Sequence, residues 1–428
     1  MRLLRWKDEF IKQTGLVFIG MGLFSLFNLL YHLFMLRYLP SVDYANLNTL
    51  MAILMLIYVP SSTIQVMITR FISSFMAQSQ YDRVRELLRQ LLWRMLVVAF
   101  SIFLLMTLAS QLLSAFLNIS SHGLIVLLGI ILLFGLLLPV PWGGLQGLQK
   151  FGCLSFNYMV NGGLKFVLGV LFIFLGWGVL GALGAVAISY FVTISLSFFM
   201  LRGYILNGKK LLHRGLFPRG TDRFLVSEIY RYFFPVGTTV LCFMVLTNVD
   251  LILVKHFFTP IEAGYYSIAQ MVGKIILFLP YPVVTVMFPK LSSLGGQEKK
   301  KLSVLGQSLM ISGILCGGVA VLGLLFPSPI IRILSGKNYV ESISLVKYFC
   351  INMTFFSLTL NILNYHLSTQ RRGFLFPLLC LTLAQIGLIL VFHKTLAQVL
   401  IVISIIATCL LVVNLFLVYF PSREVVKG

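Results

Sequence analysis

Acidic side chains are scarce in this chain. Twelve Asp and Glu residues serve 428 positions, and charged residues of both signs make up 11%, against about 25% in soluble globular chains. That shortage excludes an ordinary water-soluble globule and leaves no paired carboxylates for general acid–base chemistry. Cysteine is equally thin: Cys153, Cys242, Cys316, Cys350, Cys380 and Cys409 each sit alone in an apolar segment, with no C-x-x-C pair or zinc spacing. The six histidines (His32, His122, His213, His256, His366 and His393) are scattered and show no H-E-x-x-H spacing. Gly203–Lys209 fits G-x-x-x-x-G-K, but Lys210 stands where a Ser or Thr would hold magnesium, and no strand precedes it. No catalytic residue, metal site or cofactor is therefore expected, and the chain is not expected to be an enzyme.

What is present is hydrophobic, at 59% of residues. Twelve apolar runs are each long enough to cross a bilayer: 14–36, 44–69, 92–116, 122–140, 153–175, 179–201, 228–254, 263–288, 302–326, 340–366, 373–392 and 396–420. The first run follows MRLLRWKDEFIKQ without an A-x-A-like cleavage site and reads as a retained membrane helix. Pro60, Pro235, Pro280 and Pro282 fall inside runs and predict kinks.

The net charge of +21 is not a nucleic-acid signature, because the basic residues occupy short gaps between apolar runs. With a cytoplasmic N-terminus, twenty-five of the 33 Lys and Arg fall in inside gaps and five outside; three, Lys165, Lys274 and Lys347, lie within helices. That asymmetry predicts cytoplasmic termini.

The chain also repeats. LRYLPSVDYANLNT (36–49) matches VKHFFTPIEAGYYS (254–267) at an offset of 218 to 219, with Asp43 paired to Glu262 at 219. Arg70 then pairs with Lys290, LQKFG (148–152) with TQRRG (369–373), and Arg202 with Arg423. An even number of helices per copy gives both copies the same orientation. The expected fold is an all-α polytopic membrane protein of about twelve transmembrane helices. Its two six-helix lobes, 1–202 and 225–428, are related by a pseudo-two-fold axis along the membrane normal, with a basic cytoplasmic linker at 203–224. Such repeats are a transporter pattern.

The stretch VDLILVKHFFTPIEAGYYSIAQMVGKIILFLPYPVVTVMFPKLS (249–292) joins an Asp late in the seventh helix, a P-x-E-x-G-x-Y break and a helix ending in F-P-K-L-S. It resembles the oligosaccharide (Wzx-like) flippases of the multidrug/oligosaccharidyl-lipid/polysaccharide exporter superfamily. LQGLQKFGCLSFNYMVNGGLKFVLGVLFIFLGWGVLGALGA (145–185) is similar to that family's fifth-helix region. The first repeat departs from the pattern, reading D-Y-A at Asp43–Ala45 where E-Y-G is usual. The resemblance implies a cell-membrane (inner or plasma membrane) flippase that carries a polyprenyl-diphosphate-linked oligosaccharide from the cytoplasmic to the outer leaflet by alternating access. It implies as partners membrane lipids and the glycosyltransferases and polymerase of the same pathway, with no nucleic acid and a monomeric state.

Each intramembrane lysine costs about 2.5–3.5 kcal/mol to insert, so water, an anion or a carboxylate is expected beside it. Lys165, Lys274 and Lys347, with Arg37, are the candidates for a cationic substrate cavity; snorkelling is the alternative for Lys347. Asp250, Lys255 and Glu262 are the candidates for a gate or coupling site. Asp250 is expected to pair with Lys255 or Lys274, and Glu262 to cap the eighth helix. A cation-coupled multidrug exporter of the same superfamily is the alternative function, but three lysines against one aspartate give the wrong sign for cationic drugs. A major-facilitator transporter lacks support, since QSQYDRVRELLRQ (78–90) does not carry that family's loop pattern. A polysaccharide polymerase or glycosyltransferase would need large soluble loops or paired carboxylates.

Overall fold

The computed structural model describes residues 2–206, 223–294 and 297–419. Most of the expected linker (207–222) and the end beyond 419 lie outside the described residues. Among the described residues every regular element is a helix. In chain order these are α1 (Arg2–Tyr38), α2 (Ser41–Ala77), α3 (Tyr81–Leu108), α4 (Ser110–Phe116), α5 (His122–Gly135), α6 (Pro139–Gly147), α7 (Phe151–Phe174) and α8 (Gly178–Leu206). They continue as α9 (Arg223–Phe257), α10 (Pro260–Phe278), α11 (Tyr281–Ser293), α12 (Glu298–Leu325), α13 (Pro327–Ser335), α14 (Val340–Ser368), α15 (Leu375–Val391) and α16 (Leu396–Tyr419).

Eleven spans among the described residues are long and apolar enough to cross a bilayer, and α15 is a shorter apolar twelfth. These correspond one to one with the twelve runs in the sequence. The chain is an all-α polytopic membrane protein. Helices are the expected solution in hydrocarbon, where each backbone N–H and C=O must be bonded internally. Proline acts differently from site to site: α2 runs through Pro60 and α9 through Pro235, whereas the eighth span breaks into α10 and α11 at Pro280.

The helices pack as two compact units. One comprises Met1–Leu39 and Ile57–Arg231; the other comprises Pro40–Leu56 and Tyr232–Gly428. Residues 40–56, counted with the first lobe on sequence grounds, thus pack with the second unit. Asn48 is one reason, donating to Ser267 Oγ at 3.0 Å and to Gln270 Oε1 at 3.2 Å.

Within the first unit, Leu138, Trp142, Leu145, Leu154, Ile194 and Leu201 form a buried cluster joining α6, α7 and α8. Here α6 lies close against α2, because Gly143 and Gly147 present no side chain to Gln65, Ile68, Thr69 and Ile72. This is the small-xxx-small contact that lets membrane helices approach at backbone distance. Within the second unit, Met287, Leu291, Val304, Leu305, Ile362, Tyr365 and Val418 join α11, α12, α14 and α16.

The repeat is visible inside each unit. The short helices α4 and α13 are each followed by a left-handed residue, Asn118 (φ 50°) and Gly336 (φ 70°). The matched turns LQKFG and TQRRG both place a glutamine in that conformation, Gln149 (φ 57°) and Gln370 (φ 56°). Left-handed glutamine is uncommon, so its recurrence at one turn of both copies reflects shared backbone geometry.

Candidate functional site

In the first unit the polar groups lie along one face of α7. Asn157, Asn161 and Lys165 are four residues apart, which stacks them on a single face, and all three are buried. Ser197 Oγ donates to Asn157 Oδ1 at 2.7 Å, and Asn161 Nδ2 donates to Thr193 Oγ1 at 3.1 Å, both partners on α8. Lys165 turns instead toward α1. Its Nζ donates to Asn28 Oδ1 at 2.6 Å and lies 4.4 Å from the centroid of the Tyr31 ring. At 7% exposure Lys165 is not a lipid-facing, snorkelling lysine.

The second unit has a similar face on α10. Tyr266, Gln270 and Lys274 are again four residues apart, and their partners lie on α9. Tyr266 Oη donates to Asp250 Oδ2 at 2.7 Å, Gln270 Nε2 donates to the same oxygen at 3.1 Å, and Lys274 Nζ donates to Asn248 Oδ1 at 3.1 Å. Asp250 is fully buried and Lys274 half-buried. Among the described residues Asp250 makes no direct salt bridge; its hydrogen bonds come from Tyr266 and Gln270, and Lys274 acts on it electrostatically, as expected from the sequence. Lys274 lies two turns beyond Tyr266 on α10, and its hydrogen bond goes to Asn248 rather than to Asp250.

The remaining predicted residues separate. Lys255 is fully buried at the end of α9, and its electrostatic counterpart is Asp43 in the first turn of α2. Glu262 closes a capping box: Thr259 N and Oγ1 donate to Glu262 Oε2 at 3.0 and 2.7 Å, and Glu262 N donates back to Thr259 Oγ1 at 3.3 Å. That is the helix-capping role expected of it. Arg37 is exposed in the last turn of α1, and Lys347 is exposed near the start of α14. Neither joins the buried polar faces.

Sequence reading missed Asn28, Asn157, Asn161, Asn248, Tyr266 and Gln270. The available signal was the four-residue spacing of polar groups within otherwise apolar runs. Among the described residues no group of three His, Cys, Asp or Glu side chains is placed to hold a metal, and all six cysteines are free.

Residues 49–344 match the polysaccharide biosynthesis protein family. The chain belongs to that family. No curated protein sequence is significantly similar to it. Among solved structures it is similar to an inward-facing multidrug resistance MATE family transporter of the MOP superfamily, with a TM-score of 0.72 at 16% identity, covering 94% of this chain and 98% of the other. It is similar to the lipid II flippase MurJ in an inward closed conformation, with a TM-score of 0.70 at 16% identity, covering 95% and 87%. A MOP superfamily transporter from Pyrococcus furiosus, described as having a binding pocket of reverse polarity, gives 0.63 at 18% identity, covering 96% and 94%. At these identities the likeness establishes a shared fold.

Proposed function

We propose that this protein moves a polyprenyl-diphosphate-linked oligosaccharide from the cytoplasmic to the outer leaflet by alternating access, in the service of cell-surface polysaccharide synthesis. Membership of the polysaccharide biosynthesis family over residues 49–344 supports the pathway, and one solved structure of the same fold is a lipid II flippase. The observation that carries the chemistry is the charge of the helix interiors. Lys165 and Lys274 are each bonded to a neutral asparagine, and among the described residues neither forms an ion pair. Among the described residues the Lys165 ammonium has no carboxylate partner and keeps its positive field, which in a low-dielectric setting suits an anion such as a diphosphate; the Lys274 ammonium also feels the Asp250 carboxylate.

The energetics agree with this reading. Sugar hydroxyls cannot cross hydrocarbon unpaired, at several kcal/mol per unsatisfied group. Outward movement of a diphosphate is favoured by an inside-negative potential, at about 2.3 kcal/mol per charge per 100 mV. In this reading the protein sits in the cell membrane as a monomer with both termini cytoplasmic. The glycosyltransferases and polymerase of its pathway are its functional neighbours, and it performs no covalent chemistry itself.

A cation-coupled multidrug exporter is the second reading, and the buried Asp250 is the observation in its favour. Reconstitution separates the two. Proteoliposomes carrying the protein are expected to expose a fluorescently labelled polyprenyl-diphosphate oligosaccharide to an outside glycosidase faster than protein-free vesicles. Proton- or sodium-driven efflux of a cationic dye, with no effect on the glycolipid, ends the flippase reading.

A further inference from the structure

The two polar faces share an asparagine that no sequence motif singled out. Asn28 in α1 and Asn248 in α9 are 220 positions apart, within the spread of offsets, about 218 to 221, of the internal repeat. Their side chains are oriented alike. Asn28 Nδ2 donates to the Phe24 carbonyl at 2.8 Å, and Asn248 Nδ2 donates to the Met244 carbonyl at 2.9 Å, each one turn back along its own helix. A carbonyl only accepts and an ammonium only donates. Each amide therefore has one chemically consistent orientation: nitrogen toward the backbone, oxygen toward the lysine.

The lysines themselves do not follow the repeat. Lys165 belongs to α7 and Lys274 to α10. At the 221-residue offset of the matches on either side of it, Lys165 corresponds to Ile386 in α15. The position 220 residues before Lys274 is the buried Leu54 in α2. What the two copies share is thus the asparagine, while each copy brings its ammonium group from a different helix.

We propose that Asn28 and Asn248 are positioning residues, each setting one ammonium group so that its remaining N–H bonds face a phosphate-bearing lipid headgroup. The inference rests on the reading of Lys165 and Lys274 as headgroup contacts. A neutral acceptor suits this task because it fixes the nitrogen without adding a negative charge, which matters most at Lys274, where Asp250 already acts. An aspartate would hold the lysine more tightly through a charge-assisted bond and would remove the net charge that attracts the substrate. A hydrogen bond serving packing alone tolerates or prefers the aspartate, so the near-isosteric change separates the two roles.

The test measures farnesyl diphosphate binding and thermal unfolding on the purified full-length protein in detergent. It compares wild type with Asn28→Asp, Asn248→Asp, Lys165→Ala and Lys274→Ala. We expect both Asp variants to lose affinity at least tenfold, as the alanine variants do, while unfolding at or above the wild-type temperature. Asp variants that bind like wild type, beside alanine variants that bind weakly, overturn the positioning role and leave the flippase reading standing. Alanine variants that bind like wild type overturn both. If an Asp variant fails to fold, Asn→Gln replaces it. Gln keeps the neutral acceptor but shifts it by one methylene, and a severalfold loss is expected; unchanged affinity overturns the proposal.

Discussion

The Tyr266 hydroxyl donates to Asp250 at 2.7 Å from one helix to the next, with both side chains fully buried. Gln270 adds a second donor to the same carboxyl group, and its own carbonyl accepts from Asn48 at 3.2 Å. This network bonds a carboxyl group that Lys274 also reaches electrostatically. Removing one donor leaves a buried acceptor short of a partner, which costs about 1–3 kcal/mol. Tyr266→Phe is therefore expected to lower the unfolding temperature of the detergent-solubilised protein. Asp250→Asn is expected to be milder than Tyr266→Phe, because the amide still accepts from the tyrosine. Thermal unfolding of the two variants beside wild type checks the order.

The contact between α6 and α2 predicts a sharp steric effect. A Cβ on Gly143 would come within 2.8 Å of the Gln65 carbonyl, and one on Gly147 within 2.7 Å of Ile72 Cβ. Gly143→Ala and Gly147→Ala are expected to destabilise by about 1–3 kcal/mol, the usual range for overpacking a close contact. Gly22→Ala is the control, since a Cβ added there would meet nothing within 4 Å. It is expected to leave the yield of folded protein unchanged on size-exclusion chromatography, where the other two fall.

Much of this fold was legible in the sequence because hydrocarbon is a simple solvent. It demands long apolar runs and internally bonded backbone, and all twelve runs became helices. The capping role of Glu262 was legible too, since T-P-I-E is a local signal complete within four residues. The partners of Asp250 and Lys274 were not. Which acceptor a half-buried lysine bonds depends on how α9 and α10 rotate against each other, and a two-residue difference gives the hydrogen bond to Asn248. The placement of Pro40–Leu56 was likewise invisible, because α2 is one continuous helix whose ends pack in different units.

That capping box makes a local prediction. Thr259→Ala removes the acceptor for the Glu262 amide and one donor to its carboxylate. The expected cost is about 0.5–2 kcal/mol, the range for loss of a cap. Transport at matched protein levels is expected to stay near wild type, because the hydrogen bonds of Thr259 and Glu262 stay within the cap. A fall in transport without a fall in stability would assign Glu262 to the gate.

Topology is checked by labelling. Lys209→Cys and Lys337→Cys, each in a background lacking the six native cysteines, are expected to react oppositely with a membrane-impermeant maleimide in intact cells. Position 337 labels and position 209 does not until the cells are opened. The reverse pattern would invert the membrane orientation and, with it, the direction of the proposed transport.

The lysines themselves are expected to differ in rank. Lys165 and Lys274 are held by asparagines inside their units, whereas Lys347 is exposed on α14. Lys165→Ala and Lys274→Ala are therefore expected to lower glycolipid flipping while leaving membrane insertion intact. Lys347→Ala is expected to be neutral, or to raise expression by removing an insertion cost of about 2.5–3.5 kcal/mol. Arginine at 165 or 274 is expected to rescue in part, since it keeps the charge and binds phosphate bidentately. Glutamate is expected to be worse than alanine, because it sets a repulsive charge in a low-dielectric setting. A lysine serving only to stabilise its own unit gives a different order: alanine and glutamate variants then lose folded protein and flipping in step. Flipping normalised to folded protein, measured for the Ala, Arg and Glu variants at each position, distinguishes the two orders. Full normalised activity of both alanine variants ends the cationic-site idea and leaves the function resting on family membership.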